Sequence, residues 1–96
     1  MKLWATIRDS NHRILRETMV EADYRKREQV EDWLPILGQA CQVLDLARPI
    51  LLKKHLHDLN RYSRTVFKPE DFMEPVDFKH LEVEAFFEKQ KEENRQ

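Results

Sequence analysis

The sequence has one cysteine, one glycine and almost no net charge, and each shortage excludes a class of function. The single thiol, Cys41, excludes an internal disulfide and a multi-cysteine zinc site, and it fits a reducing compartment such as the cytoplasm. One glycine, Gly38, cannot build a GxGxxG turn or a P-loop, so nucleotide binding by those routes is excluded. We predict no cofactor.

An excess of charge of one sign is also missing. The 17 Lys and Arg and the 18 Asp and Glu leave a formal net charge of -1. Nothing global therefore steers the chain toward nucleic acid or an anionic membrane. No apolar run reaches the length of a signal peptide core or a membrane span, so we expect a cytoplasmic protein without a membrane partner.

The length and composition predict one soluble domain. A chain of 96 residues has room for a single thin core, and 41% hydrophobic with 36% charged residues is typical of a folded domain with a charged surface. We place this domain at residues 1–88. Residues 89–96 lack apolar anchors and are expected to form a frayed or disordered tail.

The N-terminal residues predict a β-hairpin. Residues 2–8 alternate apolar and polar side chains, with Trp4 as the exception on the polar side, which is the period of a strand with one buried face. Residues 9–11, Asp-Ser-Asn, supply turn chemistry, and a second strand is expected over about residues 12–21.

The register of this hairpin determines where Glu17 lies. A five-residue loop places Leu3 opposite Met19 and Ile7 opposite Leu15, and Glu17 then falls on the core face. A buried carboxylate would be a candidate site because burial raises its pKa. The alternative, a Glu at an exposed sheet margin, is favoured.

The segment 24–47 changes to a helical period. Pro35 lacks an amide hydrogen, so the helix either begins near Asp32 or starts earlier and kinks, and we favour a kinked or two-piece helix. Gly38 indicates the close approach of a neighbouring element. The apolar stripe comprises Val30, Trp33, Leu34, Leu37, Cys41 and Leu44.

The second half of the chain predicts two further strands. Residues 48–54 follow the helix with Pro49 at the first position of a third strand, which the helical crossover would allow to run parallel. Pro69 predicts one helical turn within an irregular segment, and residues 81–88 read as a final strand, with a helix as the competing interpretation. The predicted fold is thus α+β: a hairpin, one amphipathic helix on a small mixed sheet, a third strand, an irregular segment and a C-terminal strand.

Two histidines one residue apart raise the question of a metal site. If residues 52–57 are extended, His55 and His57 project to the same face, and His80 is the first candidate for a third ligand. Further candidates are His12, Asp58 and Cys41. No spacing fixes a third ligand, so solvated histidines are the preferred interpretation.

Charge is divided unevenly along the chain. Residues 48–68 carry six bases and one acid, whereas residues 69–96 carry nine acids and four bases. We expect the acidic C-terminal strand to lie near the basic segment and to pair with it. The alternative is a nucleic-acid grip formed by Lys53, Lys54, Arg61, Tyr62 and Arg64.

All five phenylalanines fall in the last third of the chain. Exposed apolar patches on small domains mark association, so Phe72, Phe78 and Phe86 are candidates for an interaction surface; the alternative is that the irregular segment uses its phenylalanines to plug the core. The leading hypothesis is a small non-catalytic association module that binds an unknown protein or itself as a homodimer. Nucleic-acid binding is the first alternative, and metal binding around His55 and His57 is the second.

Overall fold

The computed structural model describes residues 1–87, which form an α+β domain with two α-helices and four strands. The strands are β1 (Lys2–Arg8), β2 (Ile14–Glu21), β3 (Arg64–Phe67) and β4 (His80–Phe86). The α-helices are α1 (Leu34–Val43) and α2 (Lys53–Tyr62), and 3-10 turns span Arg27–Gln29 and Pro69–Asp71.

The four strands form one antiparallel sheet in the order β2-β1-β4-β3. The predicted α+β class is confirmed, but the sheet is antiparallel rather than mixed. The two terminal strands of the chain, β1 and β4, are neighbours at its centre, and β2 and β3 form its edges.

The hairpin is confirmed, but its predicted register is wrong by one residue. Leu3 pairs with Val20, not with Met19, and Thr6 pairs with Glu17. The register shifts at the end of β1, where a bulge adjoins the turn. Because one residue of slip moves every side chain to the other face, Glu17 lies on the exposed side, as the favoured alternative had it.

The turn of the hairpin is organised by Asp9. Its carboxylate accepts hydrogen bonds from the backbone amides of Asn11 (2.8 Å) and Arg13 (2.9 Å), and these bonds lower the pKa of the carboxyl. His12 takes the left-handed conformation (φ 64°) that the turn requires. The turn thus closes through a side chain and without glycine.

Helix α1 begins later than the favoured interpretation predicts. Trp33 is its N-cap, and Pro35 lies in the first turn, where its missing amide hydrogen costs nothing. A kinked helix over residues 24–47 is therefore wrong. The apolar stripe is confirmed for Leu37 and Cys41, which are 2% and 0% exposed, whereas its member Leu34 is 39% exposed at the start of the helix.

The predicted third strand at residues 48–54 is wrong. Helix α2 begins at Lys53, and His55 and Leu59, four residues apart, are buried on one of its faces. Ser63, in the left-handed conformation (φ 62°), ends the helix and turns the chain directly into β3.

The C-terminal predictions are mostly confirmed. Pro69 starts a single 3-10 turn, and residues 80–86 form a strand rather than the competing helix. The predicted tail, residues 89–96, lies outside the described residues.

The core lies on one side of the sheet only. The core-facing side chains of β1, Leu3, Ala5 and Ile7, are at most 1% exposed, whereas Trp4 on the opposite side is 41% exposed. Helix α1 packs against β1 and β2, and α2 packs beside β3. Within residues 1–87, no helix is long and apolar enough to span a lipid bilayer.

Candidate functional site

The side of the sheet that faces away from the core, called here the open sheet face, carries an apolar cluster. Trp4, Met19 and Phe86 come from three adjacent strands and are 41%, 48% and 44% exposed. Trp4 lies directly opposite Met19, and its ring centroid is 6.1 Å from that of Phe86. The cluster is thus a continuous patch, which no single strand would show.

Acidic and basic side chains surround this apolar cluster. The indole nitrogen of Trp4 donates a hydrogen bond to the Glu17 carboxylate at 2.9 Å, which holds the ring in place on the sheet. Arg64 and Glu84 lie opposite each other on β3 and β4, as expected of neighbouring basic and acidic segments. Neither takes part in the ion pairs found within residues 1–87.

The other end of the open sheet face is a compact ionic group. The carboxylate of Glu82 accepts from Arg8 Nε at 3.0 Å and lies 3.1 Å from His80 Nε2. Burial acts to raise the pKa of Glu82, but the hydrogen bonds and charges of Arg8 and His80 prevail, so its pKa is lowered. The charged side chains of this group are therefore already paired with one another.

A cleft runs along β3 on the side of α2, and we call it the β3 cleft. It is an open groove with a volume of about 560 Å³. Lys54, Asp58 and Tyr62 line it from the helix, Arg64 and Val66 from the strand, and Lys68 from just beyond the strand. The only carboxylate among these six, Asp58, accepts a hydrogen bond from the Thr65 hydroxyl at 3.1 Å.

The structure brings together only some of the residues that the sequence predicts for nucleic-acid binding. The β3 cleft brings together Lys54, Tyr62 and Arg64, whereas Lys53 and Arg61 do not line it. Arg61 instead places its guanidinium 5.8 Å from the centre of the Tyr62 ring. The residues predicted for nucleic-acid binding do not include Lys68. This residue lies just beyond β3 and lines the cleft because residues 53–62 form a helix.

The predicted metal site required residues 52–57 to be extended, but residues 53–62 are helical. Residues two apart on a helix point in different directions, and here His55 is buried while His57 is exposed. Within the described part of the chain, no three His, Cys, Asp or Glu side chains are arranged to hold a metal ion. His80, the proposed third ligand, binds Glu82 instead.

His55 is a structural residue of the core. Its ring stacks on Phe67 at 4.3 Å, and its Nδ1 accepts a hydrogen bond from the Leu52 amide at 3.0 Å. Nε2 therefore carries the proton in the neutral ring, and it faces the buried Asp71 carboxylate at 3.4 Å without forming a regular hydrogen bond. Desolvation lowers the pKa of His55, although the Asp71 charge opposes it.

The phenylalanine predictions divide between surface and core. Phe86 is exposed and belongs to the apolar cluster. Phe72 and Phe78 are only 8% and 7% exposed and pack edge to face at 5.5 Å, so they plug the core and do not belong to an interaction surface. Cys41 is fully buried, and desolvation raises the pKa of its thiol to about 11, which makes it a poor nucleophile.

Comparisons of the chain with models of protein families, with curated proteins and with solved structures found no match.

Proposed function

We propose that this protein is a non-catalytic association module that forms a homodimer through its open sheet face. The observation that supports this proposal is the cluster of Trp4, Met19 and Phe86, each more than 40% exposed on a sheet face that neither helix covers. Contiguous exposed apolar surface on a small domain usually marks an association site.

The charges on the open sheet face favour a second copy over a strongly charged partner. The face carries three bases and four acids, so its two signs nearly balance. The bases are Lys2, Arg8 and Arg64, and the acids are Glu17, Glu21, Glu82 and Glu84. Such a mixed surface offers little to a uniformly charged partner, but it can complement itself across a two-fold axis.

The complementarity has a specific geometry. Glu17 lies on edge strand β2 and Arg64 on edge strand β3. A two-fold axis parallel to the strands, between β1 and β4, exchanges the two edges and brings each Glu17 toward Arg64 of the other copy. The register puts the two residues about 7 Å apart along the strand direction, which their long side chains bridge.

The small area of the open sheet face limits the affinity of the dimer. The four strands lie about 4.8 Å apart, and since β3 has only four residues against seven or eight in the others, the face covers at most roughly 19 by 24 Å. This is smaller than the ~800 Å² per partner of a stable complex. We therefore expect a reversible dimer with a Kd in the micromolar range, which dissociates on dilution.

Sedimentation velocity from about 10 µM to about 1 mM tests this proposal. Wild-type protein should shift from monomer to dimer over this range. Met19→Lys should stay monomeric because it removes apolar contact area and places a second cation opposite Arg64 of the other copy. Met73→Lys is the matched control, since Met73 is 82% exposed and lies outside the open sheet face. A wild-type protein that is monomeric throughout, or equal loss in both variants, would contradict the proposal.

A further inference from the structure

The outer edge of β3 has unpaired backbone groups. The Ala85 amide donates to the Ser63 carbonyl at 2.7 Å, which identifies this pair as a hydrogen-bonded one in the antiparallel register. Such pairs alternate along a ladder, so Thr65 and Phe67 also bond to β4. The amides and carbonyls of Arg64 and Val66 consequently point away from the sheet, and no other backbone bond within residues 1–87 uses them.

This free edge opens into the β3 cleft rather than onto a flat surface. Lys54 from α2 and Lys68 from the end of β3 line the cleft together with Arg64. None of the three cations belongs to an ion pair within the described residues. The cleft therefore offers two backbone donors, two backbone acceptors and three positive side chains in one place.

We propose that the β3 cleft binds an extended acidic peptide of a partner protein, which adds a fifth strand to the free edge of β3. A peptide backbone supplies both donors and acceptors, so it can satisfy the amides and the carbonyls of Arg64 and Val66 together. Acidic side chains on the added strand lie beside Arg64 and Lys68 on one face and Lys54 on the other. Tyr62, 59% exposed, gives an apolar side chain of the peptide a surface to contact.

Two other occupants fit this cleft less well. A second copy pairing β3 with β3 in antiparallel fashion would bring Arg64 and Lys68 against the same cations of its partner, which is destabilising. A nucleic-acid strand offers phosphate oxygens to the cations and amides, but phosphates have no donors for the carbonyls of the edge. The inference shares Arg64 with the homodimer, but Lys54, Lys68 and the backbone edge of β3 lie outside the dimer contact, because the two-fold axis described above leaves that edge free.

Fluorescence anisotropy tests the inference with a labelled, end-blocked heptapeptide that has three glutamates on each side of one valine, so that acidic side chains lie on both faces of the added strand. The protein should bind this peptide and not its lysine counterpart. In a second peptide with the same side chains, every other backbone amide is methylated. This peptide keeps its charge but loses the backbone hydrogen-bond donors along one edge. Methylation of the amides that face β3 should reduce affinity by at least about tenfold, because strand addition depends on backbone bonds.

Variants of the protein separate backbone pairing from charge. Lys54→Glu and Lys68→Glu should each weaken peptide binding by about threefold to tenfold, whereas Arg13→Glu, at the hairpin tip, should not. Val66→Pro removes an outward amide and leaves the bonds to β4 intact, so it should abolish peptide binding. If that variant does not fold, the methylated peptide still decides the question.

Three results would overturn the inference. The first is equal affinity for both methylated forms and the unmodified peptide, which would reduce the cleft to a nonspecific cationic surface. The second is tighter binding of a single-stranded oligothymidylate than of the peptide at the same ionic strength, which would assign the cleft to nucleic acid. The third is the absence of peptide binding at low salt.

Discussion

Replacing His55 with Gln should remove a specific part of the pH dependence of folding. His55 is 1% exposed, and desolvation lowers its pKa below the ordinary value of 6.5. The unfolded chain therefore takes up a proton from about pH 6.5 downward that the folded chain refuses. The free energy of unfolding falls as the pH drops through this window until the folded ring protonates as well.

The magnitude follows from one proton. While the unfolded state holds one proton more than the folded state, stability changes by about 1.4 kcal/mol per pH unit. Wild-type protein should therefore lose stability from this site as the pH falls below about 6.5, with that slope as the upper limit, until the folded ring is protonated as well. His55→Gln should lack this slope, although it should be less stable at neutral pH by ~1–3 kcal/mol because Leu52 loses its acceptor and the ring leaves a cavity.

Urea unfolding at successive pH values, followed by tryptophan fluorescence, measures this effect. His57→Gln is the matched control, because His57 lies on the same helix but is exposed. It should leave the slope unchanged. Glu82, whose pKa is lowered, contributes its own loss of stability only below about pH 4.5, outside the window. A His55→Gln variant that keeps the wild-type slope would refute the reasoning.

Two further predictions concern α1. Gly38→Ala should stabilise the protein by ~0.5 kcal/mol in thermal unfolding, because the gain in helix propensity exceeds the cost of moving the exposed Arg48 side chain. The Cδ of Arg48 would lie 3.0 Å from the new Cβ. A loss of more than ~1 kcal/mol would show that Arg48 cannot move. Cys41 should react with a thiol reagent at pH 8 only as fast as the protein opens, because the thiol is buried and its pKa is raised to about 11. Labelling at the rate of an unfolded control would contradict the core packing.

The sequence predicts the parts of this fold in which one local signal dominates. The alternation in residues 2–8, the apolar stripe of α1 and the proline-started turn at Pro69 all appear in the structure. Gly38 was predicted to admit a close neighbour, and Arg48 passes over it.

The error at residues 48–54 has a physical cause. Pro49 and a short apolar run favour a strand when only the segment itself is considered. The helical signal lies further along, because Leu52, Leu56 and Leu59 are spaced three and four residues apart. Helix formation then depends on burying His55, a polar side chain whose partner Asp71 is distant in the sequence.

The sequence alone does not predict the candidate sites, because their residues come together only through the strand order and the hairpin register. Trp4, Met19 and Phe86 meet only when β4 inserts beside β1, and the hairpin register brings Met19 to the Trp4 row. A one-residue error in that register hides the cluster. The β3 cleft likewise requires knowing that β3 is an edge strand and that α2 is helical.

A mixing experiment with charge-reversed proteins tests the homodimer most directly. Glu17→Arg alone and Arg64→Glu alone each place like charges at both edge contacts of the two-fold dimer, so each should sediment as a monomer. Mixed in equal amounts, the two variants restore an opposite pair at both contacts. The account predicts that the mixture forms a heterodimer at concentrations where neither variant dimerises; monomers in the mixture, or dimers of either variant alone, would contradict it.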